Sequence, residues 1–394
     1  MGIKRTGALV LLVGACIFVG CGNNTQQAEK VPVETGTEEV ADSEAYEKFE
    51  ESVSSDQTED LTPETGLPAE KGYISSYGTE RERYEDDVRS YLSGKMVSKD
   101  IGDRRPVAIM LNNIEDAMPM SGVSYADVLY ECVVEGGITR MMGVFENYDD
   151  LEKIGSVRSC RNYFVYYALE FDAIYCHYGQ SSYALPLLEQ DNVDNLSGLA
   201  AIGDTVYYRT TDRVAPHNAY ASAKGIKKGI EDMGYRNVYR DDYSGKFTFT
   251  RDDDLNDLSE EESYDAVHVE PGYKINKPWM DYDPQDCKYH RYQYGEKQID
   301  DLTGEQLAFD NIILQYSSWE QIDDKGYLGF DCHGGGNMTY ITMGKAVDGS
   351  WISFGGENGA VRYFDSDGEE IVLNQGKTLI EIIQDTEGDK VVIK

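Results

Sequence analysis

Positive charge is scarce in this chain. Its 394 residues hold 36 Lys and Arg against 72 Asp and Glu, a formal net charge of −36. Such a balance disfavours nucleic acid as a partner and a direct grip on anionic lipid headgroups. No Gly-x-Gly-x-x-Gly opens a helix and no Gly-x-x-x-x-Gly-Lys-Ser/Thr loop occurs, so a nucleotide-binding fold is not indicated. The stretch "GQSS" (179–182) is not Gly-x-Ser-x-Gly, so the hydrolase nucleophile elbow is absent. Of seven cysteines, five lie beyond residue 21: Cys132, Cys160, Cys176, Cys287 and Cys332. None forms a Cys-x-x-Cys pair, which argues against thiolate-bound zinc, and no metal is expected. Cys132 and Cys176 sit in apolar, strand-like runs and read as small core residues.

Long apolar runs are also missing. Residues 7–20, "GALVLLVGACIFVG", are free of charge but too short for the roughly 20 residues that span a bilayer. With Lys4 and Arg5 before them they read as a signal peptide over 1–20. Gly20 precedes Cys21, and polar "GNNTQQ" follows. The pattern resembles a bacterial lipobox, with Cys21 lipidated to become the new N-terminus. Residues 22–71 hold 14 acidic residues against three lysines and few large apolar ones. They predict a disordered acidic tether, reaching to about residue 79, between the lipid and the folded part. With +2 in the first 21 residues and −11 in the tether, residues 72–394 are left with −27, so the folded part is itself acidic.

The remainder divides in texture. "ERERYEDDVRSYL" (80–92) places Val88 and Leu92 at helical spacing and predicts a helix. Residues 106–113, 126–135, 139–147, 173–179 and 205–210 read as strands, several buried on both faces. Helices are predicted over 159–171, 181–190 and 220–233, the second shortened or kinked by Pro186. This alternation predicts an α/β or α+β domain with a mixed sheet over 104–250. An acidic bridge, 251–263, lacks the glycine and terminal glutamate of an EF-hand loop. Residues 264–394 are short strands and turns, including an Asp-Gly hairpin in "DSDGEE", and predict a mainly-β domain. Thirty tyrosines against eleven phenylalanines favour half-wet surfaces, since a buried hydroxyl needs a partner.

Arginine nevertheless concentrates in two turn-rich places. In "GSVRSCRNYF" (155–164), a helix starting near Ser159 would offer its free N–H groups beside Arg158 and Arg161, an anion cradle. The structural alternative pairs both arginines with acids such as Glu135 or Asp172. In "YYRTTDRVAPHNAY" (207–220), Arg209, Arg213, His217 and Asn218 crowd into ten residues, either as a polar pocket wall or as a hydrogen-bonded loop. His177 ends an apolar strand, where strand ends commonly carry sites, and a buried structural role is the alternative. Glu135 and Arg140 flank "GG" and either pair there or face the pocket. Cys160 between the arginines invites a thiolate reading, and "HGGGN" (333–337) reads as a flexible turn.

"RPVAIMLNN", "MSGVSYADVLYECVVEGGITRMMGVF", "GSVRSCRNYF…ALEFDAIYCHYG" and "PHNAY" resemble the N-terminal domain of the YerB-like lipoproteins of Gram-positive bacteria. "YHRYQYGEKQIDDLTGEQLAFDNIILQY" and "GSWIS…VRYFDSDGEEIVLNQGKTLIEII" resemble the C-terminal domain of that family. The resemblance spans residues 104–394 in collinear order. It implies a lipid-anchored protein on the outer face of the cell membrane, with an α/β and a β domain, and it implies no chemistry. Arg158, Arg161, His177, His217 and Asn218 fall where the family's motifs place polar residues, while Cys160 departs from the usual alanine.

Three functions are compatible with these readings. The first is a non-catalytic envelope module, without cofactor, that binds an anionic cell-wall glycan, a lipid-linked precursor or an envelope protein. The second is a cell-wall assembly enzyme, with His177 or His217 as acid or base and a magnesium ion on a pyrophosphate. The third is a scaffold for other surface proteins.

Overall fold

Three strands, Val107–Asn112 (β1), Val128–Val133 (β2) and Thr139–Phe145 (β3), are buried at every position. Strands of that kind must be covered on both faces, and this requirement organises the molecule. The computed structural model describes residues 81–252, 254–259, 261–354 and 360–394. The signal peptide, Cys21 and the tether therefore lie outside the described residues. After β3 come the helix Asn162–Leu169 (α1), the strands Ile174–His177 (β4) and Asn195–Ser197 (β5), and the helix Ala223–Met233 (α2). Further strands are Trp279–Asp283 (β6), Lys288–Gln293 (β7), Asn311–Ser317 (β8), Gly335–Thr342 (β9), Lys345–Ser353 (β10), Val361–Asp365 (β11) and Thr378–Gln384 (β12).

The main sheet has eleven strands. Its order is Tyr264–Asp265, β10, β9, β8, β12, β2, β3, β1, β4, β5, with β11 on β10. It is mixed: β12 runs parallel to both β8 and β2, β1–β4 and β4–β5 are parallel, and the other pairings are antiparallel. The N-terminal segment is thus α/β with a mixed sheet and the C-terminal segment mainly β. One sheet runs through both, because β12 inserts between β8 and β2 with Thr378 opposite Asn311 on one side and Val128 on the other.

Side chains alternate across the sheet. Met110, Tyr130, Cys132, Met142, Ile313 and Ile380 pack on one face beneath α1. All eight residues of α1 are buried, as suits a helix apolar on every side. The Tyr130 and Tyr167 rings stack at 5.0 Å, and the Tyr163 hydroxyl donates to the Val133 carbonyl at 3.0 Å. Ile109, Leu129, Met141, Ile312 and Leu379 pack on the other face, under α2 and a second, six-stranded sheet that includes β6 and β7. Helix α2 buries Ile226 and Ile230. Ser222 caps it by accepting from Gly225 N at 3.1 Å, and Gly234 closes it at φ +69°.

Two expected helices differ. Residues 81–92 form no helix: Asp87–Arg89 pairs antiparallel with Met96–Ser98. The Ser90 hydroxyl accepts from the N–H groups of Leu92 and Ser93, and Gly94 turns at φ +70°. Side-chain competition for the backbone thus overrides the spacing of Val88 and Leu92. The first long helix begins at Asn162 rather than near Ser159, with Arg161 at the cap position and its side chain making no capping bond. Extended pairing prevails over 157–160: Val157 bridges Leu111, and Cys160 bridges Gln180. Around Pro186 the helix is short, Leu185–Leu188, after a 3₁₀ turn. Among the described residues, no helix is long and apolar enough to cross a membrane.

Candidate functional site

The stretches 154–161 and 207–220 meet at the ends of β1 and β4. Val157 N donates to Ala219 O at 2.7 Å, and Asn112 N donates to Ser156 O at 2.9 Å. Tyr220 stands opposite Gly155 on one side and Tyr208 on the other, forming a small three-stranded sheet. Gly155 adopts φ +142°, and there a Cβ would lie 2.7 Å from Val157 N and 3.1 Å from Ala219 O. Glycine is what allows the two segments to approach so closely.

The polar residues of these segments separate into two layers. Arg161, 1 % exposed, forks onto Glu135, with Nε to Oε1 at 2.5 Å and Nη2 to Oε2 at 2.7 Å. Its Nη1 donates to the Cys160 carbonyl at 2.8 Å, and its guanidinium lies over the Tyr327 ring at 5.2 Å. Arg140 is buried and donates to the Ser159 carbonyl at 2.6 Å. His177 is fully buried, its Nδ1 2.8 Å from Gly179 O and its Nε2 3.3 Å from Asn195 Oδ1. Burial first, against those two bonds, lowers its pKa, so it stands neutral. Arg161, Arg140, Glu135 and His177 are therefore internal fastenings. The cradle expected from Arg158 and Arg161 together is corrected, because the second guanidinium turns inward to an acid. The Cys160 thiol is also inside, and burial pushes it up to about 12, which removes the thiolate reading.

The outer layer holds Arg158, Arg213 and His217, half-buried, and Arg209, exposed. Asn112 Nδ2 donates to His217 Nδ1 at 2.8 Å, which leaves the neutral ring's proton on Nε2. Burial, then the charge of Arg158, and also that of Arg213, lower the His217 pKa, while Asp116 opposes them. A neutral imidazole thus stands amid guanidiniums and can donate one N–H or accept a proton. Arg213 donates to the carbonyls of Ala117 and Pro119 at 2.6 and 2.7 Å. Arg209 donates to Asn218 Oδ1 at 2.8 Å and lies over the Tyr178 ring at 4.6 Å. Buried Asn218 anchors the turn by donating to Thr210 O at 2.8 Å. In so acidic a chain, the hydrogen bonds of Arg209 and Arg213 go to neutral oxygens, so their full charge remains for an anion.

Two further features escaped the sequence. A cavity of about 710 Å³ is lined by Ala126, Asp283, Asp286, Lys288, His290 and Lys377, among others. The ligand atoms of Asp283, Asp286 and His290 lie within 4.8 Å of one another, a spacing that one cation could share; the three are partly or fully exposed. The signal was "DPQDCKYH" (283–290), two aspartates and a histidine around a hairpin. Burial is the leading influence that lowers the Lys377 ammonium. The second feature is an acidic pair deep in the core, Glu131 and Glu381, with Arg291 beside it.

Known proteins share the fold. Residues 92–236 match a model described as a protein of unknown function (DUF3048) N-terminal domain, and residues 267–380 match the C-terminal domain of the same description. A relative named as a lipoprotein, YerB of Bacillus subtilis (strain 168), is 32% identical over 300 residues, which are 76% of this chain and 87% of the relative. The crystal structure of the YerB protein from Bacillus subtilis superposes with a TM-score of 0.68 at 30% identity. That match covers 78% of this chain and 99% of that one.

Proposed function

Since the chain belongs to the YerB-like lipoprotein family, we propose that it is an envelope module. It is anchored through lipidated Cys21 on the outer face of the cell membrane and binds a phosphate- or carboxylate-bearing ligand. Arg158, Arg209, Arg213 and His217 form the binding face. The observation that carries this reading is the junction of two distant turns: Asn112 fixes His217 at 2.8 Å, while Arg209 and Arg213 spend their hydrogen bonds on neutral oxygens. Guanidinium forks then bind by charge and shape, and His217 Nε2 adds one neutral donor. Anionic cell-wall polymer and the anionic headgroup of a lipid-linked glycan share the chemistry required. Nucleic acid is disfavoured by the acidity of the folded part.

The test uses the full-length lipidated chain in detergent micelles. Co-sedimentation with cell-wall fragments is measured before and after their phosphate-bearing polymers are stripped. Binding should require the polymers, and Arg158→Ala with Arg209→Ala should weaken it at least about tenfold, the loss of roughly one charge-assisted hydrogen bond. Equal binding by the parent and the double variant would dismiss the site.

A further inference from the structure

Glu131 on β2 and Glu381 on β12 stand directly opposite one another at the centre of the main sheet, and both side chains are fully buried. Their parity places them with Leu129 and Leu379, on the face that meets the second sheet. Glu131 is well supplied with donors. Its Oε1 accepts from Asn113 Nδ2 at 2.9 Å and from Asn276 Nδ2 at 2.6 Å, and its Oε2 pairs with Arg291 from β7. Glu381 receives none of these: both of its oxygens are enclosed, and among the described residues no donor reaches them in regular hydrogen-bond geometry. The Tyr273 hydroxyl nearby donates to the backbone carbonyls of Glu131 and Ile382, at 3.1 and 2.9 Å. One guanidinium, paired with Glu131, therefore stands beside two adjoining carboxyl groups.

We propose that Glu381 and Glu131 share one proton, donated by Glu381, and that this proton seals β12 against β2, so that the fold loosens as pH rises. A buried carboxylate without a donor neutralises itself rather than remain charged, and two adjoining carboxyls cannot both ionise. The other titratable neighbours supply no second positive charge. Tyr273, Tyr294 and Cys132 are all raised, chiefly by burial, and stay neutral. Burial first, then the Glu131 charge, raises Glu381 well above the ordinary 4.5, with Arg291 and the nearby Tyr273 hydroxyl opposing. The folded chain then holds a proton that the unfolded chain releases above that value. The stabilisation is complete below about pH 4.5 and is lost as pH climbs through the folded pKa.

The full-length chain is melted in buffers from about pH 5 to about pH 9, as the parent and as Glu381→Gln, which keeps the shape and a donor without a titrating proton. The parent should lose melting temperature with rising pH. Glu381→Gln should lack that step and exceed the parent at the alkaline end by at least about 2 °C, the effect of one pKa unit in a chain of this size. Infrared spectra of the folded parent at about pH 9, well above the values of about 6 and about 7 to which burial raises Asp127 and Glu146, should show a protonated-carboxyl band that the variant lacks, and the parent spectrum needs no variant to fold. An identical pH slope in both chains, or no such band in the parent, would overturn the proposal. So would a melting temperature that collapses on dialysis against a chelator, the mark of a cation in the proton's place.

Discussion

Arg161→Ala separates an internal fastening from a ligand-binding arginine. The substitution deletes two charge-assisted bonds to Glu135 at 2.5 and 2.7 Å and a third bond to the Cys160 carbonyl. Bonds to charged partners contribute about 1.5–3 kcal/mol each. The stranded Glu135 carboxylate recovers part of that, because its side chain is 20% exposed and water can reach it. The Tyr327 ring loses its overlying cation as well. Breaking a buried pair typically costs 3–5 kcal/mol, and the partial exposure of Glu135 points to the low end, about 3 kcal/mol. At about 2.1 cal/mol/K per residue over roughly 310 residues, the unfolding entropy is about 0.65 kcal/mol/K, so the midpoint should fall by about 4–5 °C. Calorimetry or circular dichroism reads this directly. Arg161→Lys should recover less than half, since an ammonium cannot fork onto both oxygens. Glu135→Ala and the double variant complete a cycle with a coupling of about 2 kcal/mol. If Arg161→Ala melts within about 1 °C of the parent yet loses affinity for anionic wall material, the guanidinium faces a ligand and the two-layer description fails.

Two other substitutions probe the same region. Gly155→Ala forces a Cβ onto the Val157 nitrogen and the Ala219 carbonyl at φ +142°; a destabilisation of about 2 kcal/mol or more is expected in a thermal melt, together with weaker wall binding as the His217 turn is displaced. Cys160, buried with its thiol pushed up to about 12, should resist an alkylating reagent in the native chain and react normally in denaturant. Cys287, the one described cysteine that is not buried, serves as the reactive control, and equal labelling of both in the native state would contradict the placement of Cys160.

The strands were legible because their residues are apolar at nearly every position: "VAIMLN" and "VLYECV" demand cover on both faces. The helix expected over 80–92 was not, because two residues four apart also suit a strand whose neighbouring turn is tied by Ser90. The concentration of arginine at 155–161 and 207–220 was visible against so acidic a background. Which guanidinium turns inward was not, since Glu135 lies 26 residues from Arg161 and only the fold brings them together. The core acids left a quieter trace. "VLYECVV" and "TLIEIIQ" each carry a glutamate as the one charged residue of a largely apolar strand, and a lone charge in such a run calls for a partner. That partner, Arg291, is 160 residues from Glu131, beyond the reach of any local pattern.

The position of β12 governs how this protein can be divided. Residues 378–384 follow every other strand of the main sheet in the chain, yet they occupy its middle. A fragment that stops after the α/β portion would leave the flank of β2 bare, a six-residue apolar ribbon with its hydrogen-bonding groups unmet, which is an invitation to aggregate. The two family segments, 92–236 and 267–380, are accordingly not free-standing modules. Any truncation intended to isolate one of them must carry the closing strand along.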